Sequence, residues 1–123
     1  MAVRKLDKTE WKEYCEKVSK MIASNEAKVE ILSEKIGSQV QAKWAPIFGI
    51  VYDPKSDIVE VILKDLDHLI HYPVEIYVDD SPTSLASLEV VDREGVRNVL
   101  LLRKPLKAKA EASVRSDETG RRP

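Results

Sequence analysis

The chain has 123 residues, 20 Lys and Arg against 21 Asp and Glu, and one cysteine. That length suits one domain able to bury a core without disulfides or a structural metal. The lone Cys15 excludes an internal disulfide and a CxxC zinc knuckle. From Leu106 onward five basic residues face three acidic ones, a net of +2, which leaves 15 bases and 18 acids, a net of −3, for the rest. A slightly acidic body argues against nucleic-acid binding, which draws much of its affinity from phosphate neutralisation.

The first expected element is a helix. In "LDKTEW" Asp7 stands as N-cap with Glu10 three residues on, the spacing of a capping box. Leu6 and Trp11 flank this cap at the spacing of a hydrophobic staple. Trp11, Tyr14, Cys15, Val18, Met21 and Ile22 then recur at steps of three and four, one apolar stripe. Ser24 and Asn25 supply a stop, with Asn tolerant of the left-handed conformation. Beyond Asn25 the period changes to two. "KVEILSE", "SQVQAKW" and "IFGIVY" read as strands, with a turn at Gly37 and an edge position or bulge at Pro46. "DPKSD" is a turn. "IVEVILK", apolar on both faces, reads as a central strand. "PVEIYVDD" alternates, and "LASLEVVD" and "VRNVLLLRK" form a hairpin about Gly95.

These patterns predict an α+β fold: an N-terminal helix packed on a strongly twisted antiparallel sheet, or a small barrel, of about six strands. The connections are too short for crossover helices, so the strands should be antiparallel. Residues 1–105 are expected to form one domain and residues 106–123 a disordered, charged tail. No apolar run approaches the roughly 18–20 residues of a membrane span. "MAVRKLDKTEW" lacks the apolar segment of a signal peptide, so the expected location is the cytoplasm.

Candidate chemistry concentrates in "LKDLDHLIHYPVEIYVDD", which holds both histidines. In a continuous strand Asp65, Asp67 and His71 lie on one face and His68, Ile70 and Tyr72 on the other. The two histidines therefore do not chelate one ion together, and Pro73 limits a helical turn that would unite them. His68, His71, Asp67 and Tyr72 remain as candidate catalytic residues, against the plainer reading that they trim a strand end. The local spacing supplies no closed metal site and no cofactor motif. Asp79 and Asp80 lack the calcium-loop pattern and read as turn residues. Asp92 and Glu94 read as charges at a hairpin tip. Cys15, on the apolar stripe, reads as a small hydrophobe. Four scattered glycines leave no phosphate-binding loop. Trp44 and Tyr52 could stack bases, but core or sheet packing suits them better.

The segments "EWKEYCEKVS", "VEILSEKIGSQVQA", "GIVYD…DIVEVIL", "HLIHYPVEIYV" and "LEVVDREGVRNVLLL" together resemble a bacterial family of short proteins of unknown function, numbered 5335. The resemblance covers about Leu6 to Leu102. It includes His68 but not His71, which weakens a paired-histidine site, and it implies no activity, cofactor or catalytic residue.

Three functions compete. The first is a non-catalytic binding or assembly module that meets a protein partner or a second copy through a sheet edge. The second is an Sm-like nucleic-acid binder, by analogy of fold. The third is a small enzyme or metal site around His68.

Overall fold

The computed structural model describes residues 3–105; the tail expected over 106–123 lies outside the described residues. Strand β1 (Val3–Lys5) leads through a 3-10 turn (Lys8–Glu10) into helix α1 (Trp11–Ile22). Seven strands follow: β2 (Glu26–Ser33), β3 (Gly37–Asp53), β4 (Ile58–Leu63), β5 (Leu66–His71), β6 (Pro73–Ser81), β7 (Ser84–Asp92) and β8 (Arg97–Arg103). All pairings are antiparallel, in the order β1-β6-β7-β8-β2-β3-β4-β5. The α+β reading stands. The sheet, however, has eight strands rather than about six, and it is open, with β1 and β5 as its two edges.

The count differs at three places, each for a physical reason. β1 is three residues long, too short for alternation to show, and its residues are all exposed. β5 sits in the polar stretch around the histidines, where Asp67, His68 and His71 mask its period. "SQVQAKW" and "IFGIVY" are one 17-residue strand, β3, bent in the middle. Trp44 takes φ +56° there, Pro46 follows, and the register shifts between Ile47 and Gly49. The first half of β3 pairs with β2 and the second half with β4. Pro46, expected at an edge position or a bulge, sits where β3 exchanges β2 for β4 as its partner. The first half, beyond the reach of α1, leaves Val40 exposed despite its clean alternation.

The core lies between the bent sheet and α1. Trp11, Tyr14, Cys15, Val18 and Ile22 are buried, as the helical stripe requires, and Lys12, Glu13, Glu16, Lys17 and Lys20 face water. Leu6 and Trp11 are both buried, in keeping with the staple spacing. Asp7 caps the 3-10 turn rather than α1. Its carboxylate accepts from the Thr9 amide (3.0 Å) and hydroxyl (2.8 Å). Glu10 makes no reciprocal bond; it approaches Arg4 at 3.7 Å instead. The helix stop is Ser24, at φ +72°, not Asn25. Gly49 lets α1 approach the sheet. A Cβ there would meet Ser19 Oγ at 3.3 Å, and that hydroxyl both donates to the Ile50 carbonyl and accepts its N–H (2.9 Å each). No helix of the described residues is long and apolar enough to cross a membrane.

Two acidic groups read as turn residues behave differently. Asp92 Oδ1 accepts the Glu94 and Val96 amides and builds the β7–β8 turn, as a hairpin tip requires. Asp80 is no solvated turn residue. It accepts Tyr14 Oη (2.7 Å) and Arg4 Nε and Nη2 (3.3 and 3.1 Å), tying β1, α1 and β6 together. The Arg4 contact holds its carboxyl below the usual range.

Candidate functional site

β4 and β5 form a hairpin whose register runs from Leu63↔Leu66 to Ile58↔His71. The two-residue loop is Lys64 and Asp65, and Asp65 takes φ +67°. The chain reversal is therefore complete by Leu66. Strand parity holds. His68 and Ile70 turn inward, and Asp67, Leu69 and His71 turn outward.

The inward His68 reaches across to β8. Its Nε2 lies 2.9 Å from Asn98 Oδ1. Asn98 is 7 % exposed, and its amide nitrogen donates to the Val90 carbonyl at 3.4 Å, so Oδ1 is the atom presented to the histidine. An amide oxygen only accepts, so His68 Nε2 carries the proton, and in the neutral ring Nδ1 is the bare acceptor. Replacing Asn98 by alanine is expected to cost about 1–3 kcal/mol, by stranding the Nε2–H in a half-buried place. It should also remove the tautomer preference, which long-range 1H–15N NMR of the His68 ring reads directly.

The chain then passes Tyr72, which takes φ +55° immediately before Pro73. A bulky residue in the left-handed region is strained. Two backbone bonds hold it there: Tyr72 N–H donates to the Asp57 carbonyl (2.9 Å), and the Tyr72 carbonyl accepts from Arg93 N–H (3.0 Å). The Arg93 guanidinium stacks on the Tyr72 ring, 3.8 Å from its centroid. Arg93 forms no ion pair among the described residues. The result is a half-open cleft of 350 Å³ between β5 and the β7–β8 turn, with His68, His71 and Tyr72 on one wall and Arg93, Glu94 and Asn98 on the other. A second concavity of 940 Å³ continues past Glu94 and Val96 toward the tip of the β2–β3 hairpin.

Three of the four candidate residues line this cleft: His68 from the inner face of β5, and His71 and Tyr72 at its C-terminal end. Asp67 does not. It lies on the outer face beside Glu60, whose carboxyl its hydrogen bond raises above the ordinary value. The group in reach of His68 is a carboxamide, not the carboxylate that a general-base pair would use. Cys15 is buried in the core, and burial pushes its thiol up to about 12, the opposite of what a nucleophile needs. Among the described residues no three His, Cys, Asp or Glu side chains converge as a metal site would. Tyr52 is buried and donates to Asp57 Oδ1 (2.8 Å), and Trp44 carries the Arg103 guanidinium 4.1 Å from its ring centroid. Neither is a bare base-stacking platform. Sequence reasoning missed Arg93 and Asn98. Asn98 had a signal, being a lone amide within the apolar run "VRNVLLL". Arg93, in a turn far from Tyr72 along the chain, had none.

The chain matches the model of a family described as "Family of unknown function (DUF5335)" over residues 2–111. It is similar to an uncharacterised protein of Aquifex aeolicus (strain VF5), with 36% identity over 104 residues, covering 84% of this chain and 94% of the relative. No solved structure matches it. The family match extends further at both ends than the stretch from about Leu6 to Leu102 over which the sequence resemblance was expected.

Proposed function

This chain belongs to the DUF5335 family of unknown function, and from that premise we propose that it is a non-catalytic binding or assembly module whose recognition surface is the open edge of β5. One observation carries the reading. β5 ends the sheet, and beyond its pairing with β4 its residues make no backbone hydrogen bond among the described residues. One step beyond the Ile58↔His71 pair of the β4–β5 ladder, the Tyr72 N–H bonds the Asp57 carbonyl. Bonded residues fall at every second position, so His68 and Ile70 share that orientation. The N–H and C=O groups of Asp67, Leu69 and His71 therefore point away from β4.

An unpaired edge is a template for an added strand. The opposite edge, β1, is blunted: it is three residues long, and Arg4 and Lys5 are tied to Asp80 and Glu75. β5 has six residues and exposes Leu66 and Leu69. The test is Leu69→Pro, which removes an outward N–H without breaking a bond to β4. Association with a partner or a second copy, followed by light scattering and by affinity capture, should be present in the wild type and lost in the variant. Association that survives Leu69→Pro, or none in the wild type by either method, would contradict the reading.

A further inference from the structure

We infer that the strand added to β5 is β5 of a second copy, paired antiparallel about Leu69. This rests on the edge reading above and names its partner. Leu69 faces Leu69 of the second copy, and Asp67 faces His71 of the second copy, twice over by symmetry. The register is the one that the open edge dictates. The outward backbone groups belong to Asp67, Leu69 and His71, and in this pairing those three residues bond to the same three of the other copy.

The side chains agree with the backbone. All three lie on the outer face, so in the pair they form one row: acid against imidazole, leucine against leucine, imidazole against acid. A carboxylate that accepts from an imidazole N–H, and an apolar pair, both stabilise an antiparallel ladder when they lie directly opposite. Leu69 is 47% exposed, and Leu66 and Tyr72, brought opposite each other, are 37% and 43% exposed. The pairing covers apolar surface that nothing within the described chain covers. It also answers the Glu60–Asp67 contact, two acids side by side on β4 and β5 with no basic partner among the described residues. A second copy brings His71 to that pair, with Arg93, which has no ion-pair partner among the described residues, one residue beyond on the Tyr72 ring. Another protein's strand would satisfy the backbone but has no reason to reproduce this charge order.

Sedimentation equilibrium of the full chain, from micromolar to near-millimolar concentration, tests the inference. The wild type should form a dimer. Leu69→Lys, which sets two like charges face to face, and His71→Asp, which sets acid against acid at two places, should each raise the dimer dissociation constant by about tenfold or more. The double exchange Asp67→His with His71→Asp reverses both pairs and should recover most of the affinity. These side chains are exposed, and unchanged circular dichroism and thermal midpoint would confirm that the variants fold. A wild type that stays monomeric throughout, or a dimer indifferent to Leu69→Lys and to the exchange, overturns self-pairing. If Leu69→Pro still abolishes capture of another protein in either of those cases, the edge reading stands without it.

Discussion

Replacing Trp11 by alanine is expected to cost the fold about 3–5 kcal/mol, a large share of the 5–15 kcal/mol that holds a typical domain together. Trp11 is 1% exposed and opens the apolar stripe of α1. Its ring meets Tyr52 edge to face, with centroids 5.2 Å apart at 85°. Truncation therefore removes a large buried area, an aromatic contact and the filling of a space that rigid strands cannot close. Trp11→Phe should cost much less than the alanine change. The indole Nε1 is buried with no hydrogen-bond partner, so phenylalanine gives up no such bond and relieves an unmet donor. Equilibrium urea unfolding, with the slope checked for two-state behaviour, reads both differences. Equal losses in the two variants would mean that the indole nitrogen matters in a way the packing does not show.

The second large effect belongs to Asp80. Its carboxylate receives Tyr14 Oη and the Arg4 guanidinium, and its side chain is 12% exposed. Asp80→Ala is expected to cost about 1.5–3 kcal/mol, the range for hydrogen bonds to a charged group, because it also strands the tyrosine hydroxyl. Burial, and then Asp80, push that hydroxyl well above its ordinary range, so Tyr14 remains a neutral donor at any ordinary pH. The arginine contact, foremost, lowers Asp80 in the folded state. A depressed carboxyl contributes stability that is fully present above its unfolded value, about 3.9, and is lost as pH falls through the folded value. The wild type should therefore weaken below about pH 4. Asp80→Asn should remove part of that acid sensitivity while costing stability at neutral pH. Parallel stability–pH curves for the two proteins would show that Asp80 is not a source of the acid loss. Surface pairs such as Lys12–Glu16, exposed on both sides, are expected to add little.

The features legible in the sequence were those set by local periodicity. The apolar stripe from Trp11 to Ile22 gave the helix face, and the alternation in "PVEIYVDD" and "LASLEVVD" gave β6 and β7. Pro46, read as an edge position or a bulge, marked the place where β3 changes partner from β2 to β4, and strand parity placed His68 and His71 on opposite faces. What stayed hidden depends on residues far apart in the chain. Nothing near His68 says that Asn98 will meet it, and nothing in "DREG" says that Arg93 will lie on Tyr72. Left-handed Tyr72 before Pro73 was equally invisible, because two long-range backbone bonds hold it there against its own preference. Asp80 was misplaced for the same reason. Its partners, Arg4 and Tyr14, come from the other end of the chain.

The open edge of β5 is best tested by amide hydrogen exchange at Asp67, Leu69 and His71, followed as protein concentration is raised. The expected result is fast exchange in dilute solution and slowing of these three amides in step with dimer formation, while His68 and Ile70, bonded to β4, remain slow throughout. Fast exchange at Asp67, Leu69 and His71 in fully associated protein, or slow exchange of all three in the dilute monomer, would contradict it.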